Sequence, residues 1–138
     1  MKNKNYLIPK NDPFILNKKL LTNFEKRAKN ENSGFRILSH FKKNKKLHQM
    51  IINHKKNYKI KTHRNNKSPK SYFLIKGKMD IIYFKNKASK KKIIKLDNNC
   101  RFVRFEKSWF HKIIIKSNNV IFIETILGPH KKTKFYKF

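Results

Sequence analysis

The chain has 138 residues, enough for one core of ordinary size and too few for two. Apolar residues make up 38% of it, and no apolar run approaches the roughly 18 to 20 residues that a membrane helix needs, which excludes a helical membrane span. Thirty-seven Lys and Arg against 7 Asp and Glu give a formal net charge of +30, and the single cysteine, Cys100, excludes both an internal disulfide and a four-thiolate zinc site.

Asp12-Pro13 reads as a helix start, with an acid near the positive end of the helix. From 15 to 29 the apolar residues Ile15, Leu16, Leu20, Leu21, Phe24 and Ala28 recur at helical spacing, and the polar stretch 30–34 ending in Gly34 closes the helix. Beyond Gly34 the period becomes strand-like. Strands are predicted at 47–54, 58–62, 71–75, 79–84, 91–96, 102–106, 111–115 and 120–127, each short and rich in β-branched or aromatic residues. Polar, turn-prone segments separate them. Eight strands at this spacing predict a mainly β fold, a closed antiparallel barrel or jelly roll with an N-terminal α-helix. In the last strand Val120, Phe122, Glu124 and Ile126 share one face and Ile121, Ile123 and Thr125 the other. Both faces carry apolar residues, so the helix is expected to cover one of them. The expected organisation is an extension with its helix at 1–34, the barrel at 35–130 and a basic tail at 131–138.

Three motifs in fixed order narrow this further. The first runs from Tyr58 through His63, Arg64 and Asn65 to Lys70, Ser71, Tyr72 and Gly77. The second is Phe105-Glu106-Lys107-Ser108-Trp109-Phe110-His111, and the third is the strand around Glu124 ending in Gly128-Pro129. Arg36 to His40 and Gln49-Met50 precede them. Together, over roughly residues 20–130, they resemble the cupin superfamily and, within it, the WbuC family.

The resemblance implies a metal site made of two histidines one residue apart, a glutamate and a later histidine. Alternate residues of a strand point the same way, so His63 and position 65 would face one cavity, with His111 reaching it from the opposite sheet. Two positions depart from the pattern. Asn65 stands where the second histidine is expected, and Lys70 stands where the glutamate is expected. An amide oxygen is a poor ligand for a transition metal and an ammonium repels one, so no tightly bound cofactor is expected and a divalent transition metal would be held weakly at most, by His63 and His111. The predicted ligand pocket holds His63, Asn65, Lys70, His111 and Glu124, and Lys70 offers an alternative as an anion site. Glu124, an acid among apolar neighbours, should pair with Arg104, a lysine or His111. No catalytic nucleophile stands out. Cys100 follows a turn and reads as a small hydrophobe, while His40, His48, His54 and His130 lack the spacing of a metal pair.

By this resemblance the partner is a small sugar or sugar-derived ligand, in the setting of surface polysaccharide (O-antigen or lipopolysaccharide) biosynthesis, and a homodimer is compatible with it. The alternatives are a metal-dependent isomerase or oxygenase that recruits Glu124, and a basic nucleic-acid-binding protein. Only five of the cations are Arg (Arg27, Arg36, Arg64, Arg101, Arg104), whereas forked recognition of phosphate and guanine favours Arg. The lysines are spread over nearly every segment with abundant Asn, Ile and Phe, a compositional background, so no specific nucleic acid is expected. Residues 1–10 lack the apolar run of an export signal, which predicts a cytoplasmic protein.

Overall fold

The computed structural model describes residues 6–10, 12–29, 34–40, 46–65, 69–128 and 133–136. Its one described helix, α1 (Lys18–Lys29), begins later than Asp12-Pro13. The start is set by Asn17, whose side-chain oxygen accepts from the Leu20 amide at 2.9 Å and so satisfies one of the free N–H groups of the first turn. Residues 14 and 16 stay outside the helix, although Phe14 and Leu16 still pack with its apolar face. That face buries Phe24 and Ala28 against Phe35, Ile37, Ile51 and Ile121. Fully burying a side chain the size of Phe24 is worth about 1.5–3 kcal/mol, and this burial holds the helix on the sheet.

The strands among the described residues are, in chain order, β1 (Tyr6–Leu7), which precedes the helix, and then β2 (Phe35–Leu38), β3 (Leu47–Lys55), β4 (His63–Arg64), β5 (Lys70–Lys76), β6 (Met79–Phe84), β7 (Lys92–Leu96), β8 (Phe102–Phe105), β9 (Phe110–Ile115), β10 (Asn119–Leu127) and β11 (Lys134–Phe135). They form two sheets, ordered β1-β2-β3-β10-β5-β8 and β11-β4-β9-β6-β7. Among the described residues every pairing is antiparallel except that of β1 with β2. The inner faces meet in one core, where Tyr72 and Leu74, Val120 and Phe122 oppose Met79, Ile81, Ile113 and Ile115. The expected alternation in β10 holds. Val120 and Phe122 enter this core, whereas Ile121 and Ile123 belong to the cluster under α1.

Residues 58–62 form no strand. The Tyr58 amide donates to the Lys55 carbonyl at 2.9 Å and closes a turn, and pairing resumes only at His63. At the β5–β6 turn Gly77 has φ 91°, and a Cβ there would lie 2.6 Å from Ser117 Oγ and collide with the Asn119 carbonyl. Gly77→Ala is therefore expected to cost about 2–3 kcal/mol, read as a lower urea midpoint; an unchanged midpoint would show that this turn adapts.

On the outer surface Phe73 and Phe102 face each other across β5 and β8, exposed by 44% and 55%. Leu47 and Leu127 form a second exposed pair across β3 and β10. Among the described residues no helix is long and apolar enough to cross a membrane.

Candidate functional site

Lys70 opens β5, and the alternation of that strand turns Lys70, Tyr72 and Leu74 inward while Phe73 faces out. Glu124 of β10 lies opposite Tyr72 in the register, and His63 of β4 lies opposite His111 of β9. Strand pleat and pairing thus bring side chains from both sheets to one place inside the barrel. Lys70 sits among them, only 6% exposed. Its Nζ donates to Asn65 Oδ1 at 2.8 Å, to the Tyr72 hydroxyl at 2.9 Å and to His111 Nε2 at 3.1 Å. Glu124 Oε2 stands 3.6 Å away.

The hydrogen bonds close on themselves. An ammonium has three donors, and all three are used within the protein. The Tyr72 hydroxyl accepts from Lys70 and hydrogen-bonds Glu124. His111 Nδ1–H points at the Trp109 carbonyl at 3.4 Å, which leaves Nε2 as the acceptor. His63 Nδ1–H donates to the Lys61 carbonyl at 2.8 Å, and the His63 and His111 rings lie 4.4 Å apart. The Ser108 hydroxyl donates to the Asn65 carbonyl and fixes that residue's backbone.

The electrostatics agree. Burial, then the Lys70 and His63 charges, hold His111 well below the ordinary histidine range. His63 is lowered too, chiefly by burial. Burial also lowers Lys70, while the Glu124 carboxylate pulls it back up, and burial with the Glu124 charge lifts Tyr72 well above the ordinary tyrosine range. The arrangement that satisfies every group is an ammonium, a carboxylate, a neutral phenol and neutral imidazoles. Desolvating each ion costs several kcal/mol, so the pair persists only because its remaining donors and acceptors are matched.

A cavity of about 560 Å³ adjoins this cluster. His63, Asn65 and Glu124 border it on the cluster side, His54, Tyr58 and Phe122 give an aromatic wall, and Arg36, Lys59 and Lys61 add positive charge. The His54 and Tyr58 rings are stacked, 4.3 Å apart and 12° from parallel. Lys70 and His111, with Asn65, also line a hollow of about 10 Å³, about the room one water needs.

The chain fits a divalent metal poorly. Among the described residues no three His, Cys, Asp or Glu are arranged to hold one. Metal bonds to nitrogen and oxygen ligands run about 2.0–2.2 Å, whereas the cage around Lys70 Nζ spans 2.8–3.6 Å. The ammonium fills its centre.

All five residues expected at the pocket, His63, Asn65, Lys70, His111 and Glu124, are brought together. Asn65 acts as an acceptor for lysine. Lys70 has no donor left for a ligand anion, because three protein acceptors take them. Glu124 pairs with Lys70, while Arg104 pairs with Glu106. Sequence reasoning missed Tyr72 in the cluster, although its place two residues after Lys70 signalled a shared face. It also missed Arg36, His54 and Tyr58 as cavity wall. Cys100 is exposed, His40 rests against His48 with rings 4.4 Å apart, and His130 and Pro129 lie outside the described residues.

No known family profile matches the chain, and no curated protein matches it in sequence. Solved structures do match. Oxalate decarboxylase from Lactobacillus farciminis, in its formate complex, superposes with a TM-score of 0.61 at 15% identity, covering 76% of this chain and 32% of that one. The Bacillus subtilis oxalate decarboxylase, studied for its Mn(II) centres, gives 0.60 at 13% identity, covering 76% and 28%. An oxalate oxidase gives 0.56 at 6% identity, covering 65% and 46%. The chain thus spans less than half the length of each. The likeness establishes the fold, a cupin-type jelly roll with one short helix.

Proposed function

We propose that this chain is a small-ligand-binding cupin, as its WbuC-like motifs imply, which takes a sugar-derived anion into the 560 Å³ cavity. The observation that carries this reading is the lining of that cavity: an aromatic wall at His54 and Tyr58, three cations at Arg36, Lys59 and Lys61, and polar groups of His63, Asn65 and Glu124 on the cluster side. The apolar face of a sugar ring packs on the aromatic pair, its hydroxyls meet the polar groups, and a phosphate or carboxylate meets the cations. The association with surface polysaccharide biosynthesis belongs to the WbuC resemblance alone. Arg36 is the best placed cation, because its charge acts on both His54 and His63.

Calorimetry with a hexose phosphate, a nucleotide-linked sugar, a neutral hexose and inorganic phosphate tests this. The phosphorylated sugars should bind more tightly than either control, and Arg36→Ala should weaken them by about tenfold, the usual loss of one charge-assisted contact. Tyr58→Ala should weaken the hexose phosphate and leave inorganic phosphate unchanged. Equal binding of all four probes would reduce the cavity to nonspecific charge. A metal-dependent enzyme is the second reading, favoured by the facing His63 and His111 rings; one tightly held metal per purified chain would make it the better one. The lysine-dominated charge predicts weak, sequence-indifferent, steeply salt-dependent contact with duplex DNA.

A further inference from the structure

The geometry points to Lys70 as the resident cation of the barrel: its ammonium orders Asn65, Tyr72, His111 and Glu124 around one point, as a metal ion orders its ligands, and so presets the groups that border the cavity. Four observations carry this inference. Lys70 is buried, and its Nζ has partners on every side. Those partners come from β5, β9, β10 and the stretch after β4, so one charge ties both sheets. The cage is wider than a metal's and has the size of a hydrogen-bonded ammonium. Glu124, only 12% exposed in its side chain, supplies the countercharge.

Lys70 is thereby a positioning residue. Three of the groups it holds also border a cavity, Asn65 and Glu124 the large one and Asn65 and His111 the small hollow, while the fourth, Tyr72, is buried in the core. Without the ammonium, Glu124 is a buried carboxylate lacking its cation, Tyr72 turns to it alone, and His111 Nε2 loses its donor. The tether also removes mass action. A bound ion leaves when its concentration falls, whereas a lysine stays at full occupancy.

The test uses the whole chain. Lys70→Met keeps the unbranched apolar stem and removes the charged end, and should lower Tm by about 10 °C or more. Adding Glu124→Gln to it removes the stranded carboxylate and should recover most of that loss. In Lys70→Ala, n-propylammonium chloride replaces the missing part of the side chain and should raise Tm, with n-propanol at the same concentration giving no gain. Should the single variants fail to fold, the wild-type protein decides: at pH 7 nitrogen-15 NMR should show one slowly exchanging side-chain ammonium whose protons have through-space contacts to the Tyr72 and His111 rings. Overturning results are a Lys70→Met variant as stable as wild type, equal action of the amine and the alcohol, or a wild-type spectrum without that signal. This inference rests on the sugar-anion reading only for what the preset groups meet. Failure of every sugar probe leaves the stability and NMR results standing, and loss of the ammonium signal leaves the binding titrations standing.

Discussion

The double variant Asn65→His, Lys70→Glu is expected to bind nickel, iron or zinc orders of magnitude more tightly than the wild-type chain. Two changes act together. The first gives the position two residues after His63 an imidazole on the same side of the chain, next to the point where Asn65 now accepts from Lys70. The second deletes the ammonium that fills the cage and supplies a carboxylate in its place. With His63 and His111 already 4.4 Å apart, the result is the three-histidine, one-glutamate set that the cupin resemblance implies. The metal-free variant should be less stable than wild type, because Glu124 then faces a second acid where it now faces a cation; a divalent ion relieves that repulsion, so added nickel should raise Tm sharply. Metal per chain after desalting, measured by mass spectrometry, should rise from well below one to near one. Adding His111→Ala should abolish the gain. Equal metal content in the double variant and wild type would mean that these side chains do not share a site.

Acid should unfold this protein through its buried histidines, with His54 foremost. Burial, followed by the charge of Arg36, lowers His54 from 6.5 to about 3. A base whose folded pKa is depressed is bound neutral in the native state. Its contribution to stability is therefore complete above about pH 6.5 and is lost as pH falls toward 3, as the unfolded chain takes up the proton first. The full shift corresponds to several kcal/mol, on the order of half the stability of a small domain. His63 and His111 are shifted the same way and steepen the loss. His54→Gln keeps a neutral polar group of similar reach and removes the titration. Urea midpoints measured at pH 7.5 and 4.5 should fall much further in the wild-type chain than in this variant. Parallel falls would assign acid sensitivity to other groups.

The architecture was legible where one period ran long enough to register. The nine residues of β10 show inward and outward sets that separate cleanly into the barrel core and the helix cluster. Two-residue strands such as β1, β4 and β11 have no period at all, and long-range pairing alone defines them. Tyr58 and Ile60 read as strand because their types favour sheet, yet the turn at Lys55 takes the Tyr58 amide and the cavity takes their side chains. Motif spacing singled out His63, Asn65, Lys70, His111 and Glu124, and the fold brings these five side chains together. What spacing does not carry is who bonds whom. Lysine and amide each read as a defect beside a metal, and only their 2.8 Å contact shows them as donor and acceptor.

The exposed pairs Phe73–Phe102 and Leu47–Leu127 give the positive charge a second role. The phenylalanine pair reaches β8, an edge strand whose outer N–H and C=O groups offer themselves to another chain. Between two copies each carrying +30, repulsion holds those sticky edges apart. Added salt therefore has opposite effects on the single molecule and on the solution. It screens lysine from lysine inside one chain and strengthens the fold, and it screens molecule from molecule and lets the edges meet. Colloidal stability and folding stability should peak at different ionic strengths, so the buffer that gives the highest Tm is not the one that keeps the most protein dispersed.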